Sequence, residues 1–217
     1  MPALRERANA GLHDFVFQFI SREISPVKDN AVLDIGCGTG AWLQRFQQAG
    51  FSNLMGIDLD TEQFALQNIL TRAMNLDDYR GEKFGQFELI TALELIEHLE
   101  NPGLLFRLVG ENLSESGNFV LSTPNIHALP ARLRYLLKGR LNHFDDKSDA
   151  THIYPVYLEN LQRVLPRHGL HIADMQFFPP KGYGTYRGIT KQLSGLAGIF
   201  LKDNLPGDNI VLRITRK

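Results

Sequence analysis

The sequence predicts an α/β fold: a mostly parallel sheet with helices on both faces. Three observations carry that reading. Residues 31–40 (AVLDIGCGTG) run from an apolar, partly β-branched stretch into a loop with glycines at positions 36, 38 and 40, then into a helical pattern. Apolar strand-like stretches and amphipathic helical ones then alternate along much of the chain. The last stretch, 209–215, is placed to pair back on the strand before it as a hairpin, so it runs antiparallel to the rest. With 217 residues, the chain suits one domain over 1–217 with room for a full core.

Taken in order, Leu12, Phe15, Val16, Phe19 and Ile20 follow the i, i+3, i+4, i+7, i+8 pattern. A helix is therefore expected over about 4–24, ended by Ser25-Pro26, and residues 1–30 form an N-terminal helical cover on one side of the cleft. Its apolar run, 15–20, is interrupted by Gln18 and far too short to span a bilayer, and no targeting segment is visible. The first strand is 31–35. The alternate glycines after it turn the chain without Cβ clashes and let a ligand lie against backbone N–H groups.

Trp42, Leu43 and Phe46 mark the first helix of the repeating unit, which Gly50 closes, and 54–58 is the second strand. A second helix is expected over 61–72 and a short third strand over 73–76. Phe87, Leu89 and Ile90 make the fourth strand. After the Asn101-Pro102-Gly103 breaker, Leu104, Leu105, Leu108 and Val109 form the buried stripe of a helix ending near 113. A turn at 114–117 leads to a fifth strand over 118–122.

Pro130 opens a helix with an apolar stripe of Leu129, Leu133, Leu136 and Leu137, from which Arg132, Arg134 and Lys138 mostly stand aside. Tyr157, Leu158, Leu161, Val164 and Leu165 mark a further helix over 156–167, closed by His168-Gly169. The sixth strand is 170–178. After Pro179-Pro180 come a glycine- and tyrosine-rich loop, 181–188, and a helix over 189–200. Residues 126–155 and 179–208 are thus insertions on the acceptor side, with Asn125, Tyr183, Tyr186 and Arg187 as contacts there or as ordinary capping and loop residues.

Charge and cysteine usage narrow the functional classes. Lys and Arg number 23 against 24 Asp and Glu, a net charge of −1 that denies the chain the basic footprint of a dedicated nucleic-acid binder. The single cysteine, Cys37, has no partner for an internal disulfide and fits a reducing, cytoplasmic setting, packed under the glycine loop rather than acting as a nucleophile.

The loop spacing is G-x-G-x-G, not the G-x-G-x-x-G of dinucleotide-binding dehydrogenases. Asp34 stands two residues before the first glycine. A carboxylate there repels a pyrophosphate but suits a ligand carrying an ammonium and a sulfonium. The stretch 34–40 resembles the first motif, D-x-G-x-G-x-G, of the class I S-adenosylmethionine-dependent methyltransferases. That resemblance implies a Rossmann-like, seven-stranded, mostly parallel sheet with an antiparallel last strand, and S-adenosylmethionine as cofactor. It assigns the methionine end to Asp34, Gly36, Cys37, Gly38 and Gly40. Asp58 takes the ribose hydroxyls, with an N-cap role as its alternative, and Leu59 lies along the adenine. Asn75 stands where the family commonly has an acid for the adenine amine, with Leu76 beside it and Asp77 or Asp78 as substitutes by a small register change. Leu93 completes the cofactor set.

Residues 87–102 (FELITALELIEHLENP) resemble the E-x-x-E-H stretch of ubiquinone-pathway O-methyltransferases and small-RNA 2′-O-methyltransferases, and 122–125 (STPN) resembles the loop after strand five in the same group. If that stretch is helical, Glu94, Glu97 and His98 share a face that suits a divalent ion. The small-RNA enzymes complete a matching set with a later histidine, here His152, with His143 as substitute. Such an ion polarises an acceptor hydroxyl. Without metal the same groups shape the pocket, and His98 or His152 is the candidate general base.

The function expected is O-methylation of a small-molecule, glycan or lipid-linked acceptor. Two other readings stand beside it: a metal-assisted RNA 2′-O-methyltransferase and a binding module of the same fold without catalysis. The basic helix near 130–138 is read first as a lid, second as a peripheral membrane contact. The acceptor and the oligomeric state are not legible.

Overall fold

The computed structural model describes residues 4–184 and 205–217. Its seven-stranded sheet has the order β3-β2-β1-β4-β5-β7-β6. The centre is β1 (Val32–Ile35), four buried residues that pair in parallel with β2 (Leu54–Asp58) on one side and β4 (Phe87–Leu93) on the other. β3 (Leu70–Ala73) flanks β2, and β5 (Leu113–Pro124) flanks β4, both parallel. β7 (Asn209–Arg216) inserts antiparallel between β5 and β6 (Leu170–Phe178). β6 and β7 therefore form the expected hairpin, with the long insertion between them.

Because both faces of the sheet are covered, the central strands are apolar on both sides. On one face, α1 (Leu12–Glu23) and α2 (Ala41–Gln48) pack Leu12, Val16, Phe19, Trp42, Leu43 and Phe46 against Val32, Leu89, Val120 and Val211. On the other, α3 (Pro102–Asn112) and α5 (Leu158–Val164) bring Leu105, Phe106, Leu108 and Leu161 onto Leu33, Ile35, Ile90 and Phe119. Among the described residues, no helix is long and apolar enough to cross a membrane.

The structure departs from the sequence expectations in several elements. α1 starts at Leu12, not near residue 4, because Gly11 sits in the left-handed region at φ 84° and ends the helix there; the chain before it runs along the cleft. The helix expected over 61–72 does not form, and β3 comes three residues early. Phe64 and Leu66, two apart and so on one side of an extended chain, both close over Gly40, Ala65 N–H donates to the Thr39 carbonyl, and Asn68 adopts φ 61°. These contacts hold the segment in a non-helical path.

The turn expected at 114–117 is the opening of β5, where the pairing with β4 shifts register between Phe87 and Leu89. Gly117 permits it: a Cβ there would stand 2.9 Å from the Phe87 carbonyl oxygen. The helix over 156–167 is α5 followed by a 3₁₀ turn at 165–168, since Pro166 offers no N–H to continue the α ladder. The helix over 130–138 forms as α4 (Leu129–Lys138), yet its stripe is buried only at its start: Leu129 is buried, while Leu136 and Leu137 are 78% and 67% exposed. The helix expected over 189–200, and Tyr186 and Arg187, lie outside the described residues.

Gly56 of β2 lies directly beneath the glycine loop, where an added Cβ would come 2.7 Å from Cys37 Sγ and 3.3 Å from Leu43. Gly56→Ala is expected to destabilise the fold by about 1–3 kcal/mol, the usual cost of overpacking a filled core, measured as a lowered midpoint in urea. An unchanged midpoint would show that the loop yields freely at this point.

Candidate active site

The strand order reverses between β1 and β4, and a cleft opens at their C-terminal ends, where open α/β sheets place their ligands. It has a volume of about 640 Å³. The glycine loop and Asp34 form its floor, Asp58 stands at its β2 side, and Leu93, Glu94 and His98 at its β4 side. Arg5, Arg7 and Asn9 close it from the N-terminal segment; His143, Ser148, Asp149, Thr151 and His152 close it from the insertion after β5.

The loop after β1 works differently from the sequence expectation. Its glycines 36, 38 and 40 do adopt left-handed backbone, at φ 81°, 49° and 88°. Four of its N–H groups, however, are spent inside the protein. Gly36 and Cys37 donate to the Ile57 carbonyl at 2.7 and 3.1 Å, Gly38 donates to Asp58 Oδ2 at 2.7 Å, and Gly40 donates to the Cys37 carbonyl at 2.8 Å. The glycines thus leave room for a ligand and stitch β1 to β2. They also lock Asp58 in place, since its other oxygen, Oδ1, accepts from Asp60 N–H at 3.2 Å. The helix that Asp58 was to cap as an alternative is absent.

Asp34 is buried at the end of β1. Thr91 Oγ1 donates to its Oδ1 at 2.7 Å, and Trp42 Nε1 donates in turn to Thr91 Oγ1 at 2.9 Å. Burial pushes the Asp34 carboxyl up to about 8, with the Thr91 bond opposing and the nearby Asp58 charge adding to the rise. Burial likewise drives the Cys37 thiol upward, which fits the inert packing role expected of it.

At the end of β4 the chain does not continue as an α-helix. Glu94 takes φ 51°, and a single 3₁₀ turn follows at 96–98. The helical face expected to align Glu94 with Glu97 and His98 therefore does not exist. Glu94 is held instead by Ser122 Oγ, which donates to Oε1 at 2.8 Å, and by Asn209 Nδ2, which donates to Oε2 at 2.6 Å. Asn9 Nδ2 in turn donates to Asn209 Oδ1 at 2.6 Å. Burial raises the Glu94 carboxyl to about 7, against both of those bonds.

Glu97, His98 and His152 do converge. The Glu97 carbonyl accepts from both Ile153 and Tyr154 N–H at 2.9 Å, and this clasp lays His152 beside His98 with ring centroids 4.7 Å apart. Ligand atoms of the three side chains lie within 4.8 Å of one another. Glu97 is fully buried. Thr123 Oγ1 donates to its Oε2 at 3.2 Å, while its Oε1 has no hydrogen-bond partner among the described residues. Its carboxyl sits well above the ordinary range, first through burial and then through the charge of Glu94.

Both imidazoles have a set tautomer. The Thr151 hydroxyl donates to Asp149 Oδ1 at 2.6 Å, so Thr151 Oγ1 and the Thr151 carbonyl are acceptors for His98 Nδ1–H, at 2.9 and 3.2 Å. His152 Nδ1–H donates to the His143 carbonyl at 3.0 Å. In the neutral ring this tautomer leaves Nε2 as the acceptor. Burial, together with the neighbouring His152, lowers the pKa of His98 and so favours its uncharged form. His143, expected as a substitute for His152, serves it through its backbone carbonyl.

The remaining candidates are placed less centrally. Leu59 is 71% exposed beside Asp58, Leu76 is buried in the core, and Gly40 packs under Phe64 and Leu66; none of these lines the cleft. Asn75 caps a short 3₁₀ turn, accepting from Asp77 N–H at 3.1 Å and donating to Asp78 Oδ2 at 2.9 Å. Asn125 is consumed in structure: its amide donates to the carbonyls of Pro206 and Gly207, and its oxygen accepts from His127 N–H. Tyr183 packs against Ala128 and Ala131. α4 contributes nothing to the cleft lining, so the lid over it is the 143–152 segment and not the helix.

Sequence reasoning missed Arg5, Arg7, Asn9, Trp42, Thr91, Asp149, Thr151 and Asn209. For Thr91 a signal existed, a hydroxyl in the middle of an otherwise apolar strand. For Asn209, 115 residues from Glu94, none did.

Three comparisons bear on this geometry. A family model described as a methyltransferase domain matches residues 5–174. The chain is 26% identical over 169 residues to a ubiquinone biosynthesis O-methyltransferase of Xanthomonas axonopodis pv. citri, covering 73% of this chain and 69% of that protein. A protein of the same name from Acinetobacter baumannii is 28% identical over 104 residues, and there the match spans 43% of this chain and 44% of the relative, less than half its length. Among solved structures, a SAM-dependent methyltransferase from Archaeoglobus fulgidus superposes with a TM-score of 0.64 at 19% identity, covering 94% of both chains, and shares the fold.

The Asp34 carboxyl stands near 3.8 in the unfolded chain and near 8 in the folded one. Between those values the folded state holds a proton that the unfolded state releases, so Asp34 subtracts stability progressively as pH rises through that window and by a constant amount above it. Asp34→Asn is expected to flatten the fall of Tm between pH 4 and about 8 relative to wild type. Two superimposable Tm–pH curves would show that the carboxyl is not held protonated.

Proposed function

Because the chain belongs to a methyltransferase-domain family of the class I, S-adenosylmethionine-dependent kind, we propose that it transfers the methyl group of S-adenosylmethionine to an oxygen of a small-molecule acceptor. The observation that carries the donor assignment is the pair of acids at the switch point, a buried Asp34 and a backbone-locked Asp58, around a loop kept open by glycine. A donor with an ammonium and a sulfonium gives Asp34 the positive charge it lacks and favours its ionised form. A pyrophosphate in the same place would hold the buried Asp34 in its neutral form, gaining nothing from it, and would meet the charge of Asp58.

In this reading Asp34 and the loop residues Gly36, Cys37 and Gly38 receive the methionine end, with Gly40 shaping the loop behind them. Asp58 accepts the ribose hydroxyls. Leu59, exposed beside it, offers an apolar surface to the adenine, with Asn75 at the edge, Leu76 supporting that edge from the core and Leu93 beneath the reacting methyl. The acceptor enters between Glu94 and the two histidines. The methyl is already activated in the donor, so the protein's part is alignment, exclusion of water and removal of one proton from the attacking hydroxyl. His98 Nε2 and His152 Nε2 are the available acceptors of that proton. The oxygen acceptor is supported by the ubiquinone-pathway relatives, whose name specifies O-methylation.

A second reading is favoured by one specific arrangement: Glu97 Oε1 is buried and unpartnered, while His98 and His152 are anchored through Nδ1–H as metal-bound imidazoles commonly are. Glu97, His98 and His152 fit a divalent cation, and Glu94, held by Ser122 and Asn209, would be left out of its shell. A cation there would supply Lewis-acid polarisation of the acceptor hydroxyl, which suits RNA 2′-hydroxyls as well as small molecules. The two readings differ in what removes charge from the attacking oxygen.

Calorimetry with S-adenosylmethionine is expected to show saturable binding that Asp58→Asn weakens about 10- to 100-fold, the worth of a charge-assisted hydrogen bond. No heat of binding at millimolar donor would leave a non-catalytic module of this fold. For the acceptor side, methyl transfer to small hydroxyl compounds and to RNA ends is followed with and without a chelator. Activity that survives chelation but falls at least tenfold in His98→Ala supports the imidazole as base. Activity abolished by chelation and restored by Mn²⁺ or Mg²⁺, together with loss of Mn²⁺ binding in His152→Ala, supports the metal.

A further inference from the structure

Thr91 lies wholly buried in β4, between Asp34 on β1 and Trp42 on α2. An indole N–H only donates, so the 2.9 Å contact fills an acceptor position on Thr91 Oγ1. The hydroxyl then has one proton to place. Asp34 Oδ1 is 2.7 Å away and the alternative acceptor, the Leu33 carbonyl, is 3.4 Å away. When Asp34 is ionised the relay has a single direction, from indole to hydroxyl to carboxylate, with each group fixed by the one before it. Trp42 is the chain's single tryptophan and also lines the cleft.

We propose that Thr91, held in register by Trp42, is a positioning residue for donor binding: it presents Asp34 to the methionine end of S-adenosylmethionine as an oriented carboxylate, and the indole reports that state. The proposal rests on the donor assignment made above. The relay's physical task is to oppose burial, which alone favours the neutral acid; the Thr91 bond is the one interaction at Asp34 that favours the charged form. Asp58 from β2 faces Asp34 and opposes that form. Cys37, from the loop, has its thiol driven upward and stays neutral.

On the other side, Trp42 is met edge-on by His13 of α1 at 5.3 Å and by Phe17 at 6.1 Å. His13 itself faces Glu6, Asp14 and Arg45, and burial lowers its pKa below 6.5. The two titrations that touch the indole therefore occupy separate windows: His13 below 6.5, Asp34 near 8.

The test uses the full chain as wild type, Thr91→Val, Thr91→Ser and Trp42→Phe, with donor affinity by calorimetry and, where Trp42 is retained, tryptophan emission from pH 6.5 to 10. The wild type is expected to show an emission change centred near pH 8, displaced to lower pH by saturating S-adenosylmethionine as the cationic donor favours the carboxylate. Thr91→Val should bind the donor about tenfold more weakly at neutral pH, with the emission midpoint moved upward, and Thr91→Ser should restore both. Thr91→Val with wild-type affinity, or Thr91→Ser as weak as Thr91→Val, overturns the relay, the second result by showing that packing and not the hydroxyl matters. Should Thr91→Val fail to fold, Trp42→Phe decides: a loss of affinity at constant kcat supports the relay and an unchanged KM overturns it. A wild type that binds no donor instead overturns the donor assignment.

Discussion

A carboxylate buried without a cation is the constraint on which the site depends. Among the described residues Asp34 makes no ion pair, and its hydrogen-bond donor is a neutral hydroxyl. Such a group is unfavourable in the empty protein at neutral pH and becomes favourable when a positive charge arrives. The cost is tolerable because β1 is the central strand, paired on both edges and covered on both faces, so the surrounding core holds the geometry. Binding energy for a cationic ligand is thereby concentrated at one point of the cleft.

The glycine loop serves this arrangement indirectly. Had its N–H groups been free, the loop would attract an anion, as at helix N-termini in phosphate-binding folds. Here those of Gly36, Cys37, Gly38 and Gly40 are taken up by the Ile57 carbonyl, by Asp58 and by the loop itself. The same bonds orient Asp58. One set of backbone contacts thus withholds most of the loop's N–H groups from an anion and places the second acid.

The β4 side of the cleft is assembled from pieces far apart in the chain. β5 supplies Ser122 and Thr123, β7 supplies Asn209, and the insertion after β5 supplies Asp149, Thr151 and His152. The antiparallel β7 is needed for this, because its first residue lies against the last residue of β5 and so at the mouth of the cleft. Glu94 and Glu97, three residues apart, end in different environments as a result: one is bound on both oxygens, the other keeps an oxygen unpartnered beside two imidazoles.

By itself the sequence determined the succession of the strands along the chain, the glycine loop and the places of Asp34 and Asp58 at strand ends, because each is written in a local run of residues or in a strand buried on both faces. It also indicated His98 and His152 as partners, through a resemblance rather than through spacing. Only the tertiary structure decided that residues 61–69 are not helical, since Phe64 and Leu66 answer to Gly40 rather than to a helical period. It alone turned Glu94 away from Glu97, through Ser122 and Asn209, and tied Thr91 between Trp42 and Asp34. Those outcomes rest on partners brought together by the fold from distant positions, and no local pattern encodes a contact whose other half lies tens of residues or more away.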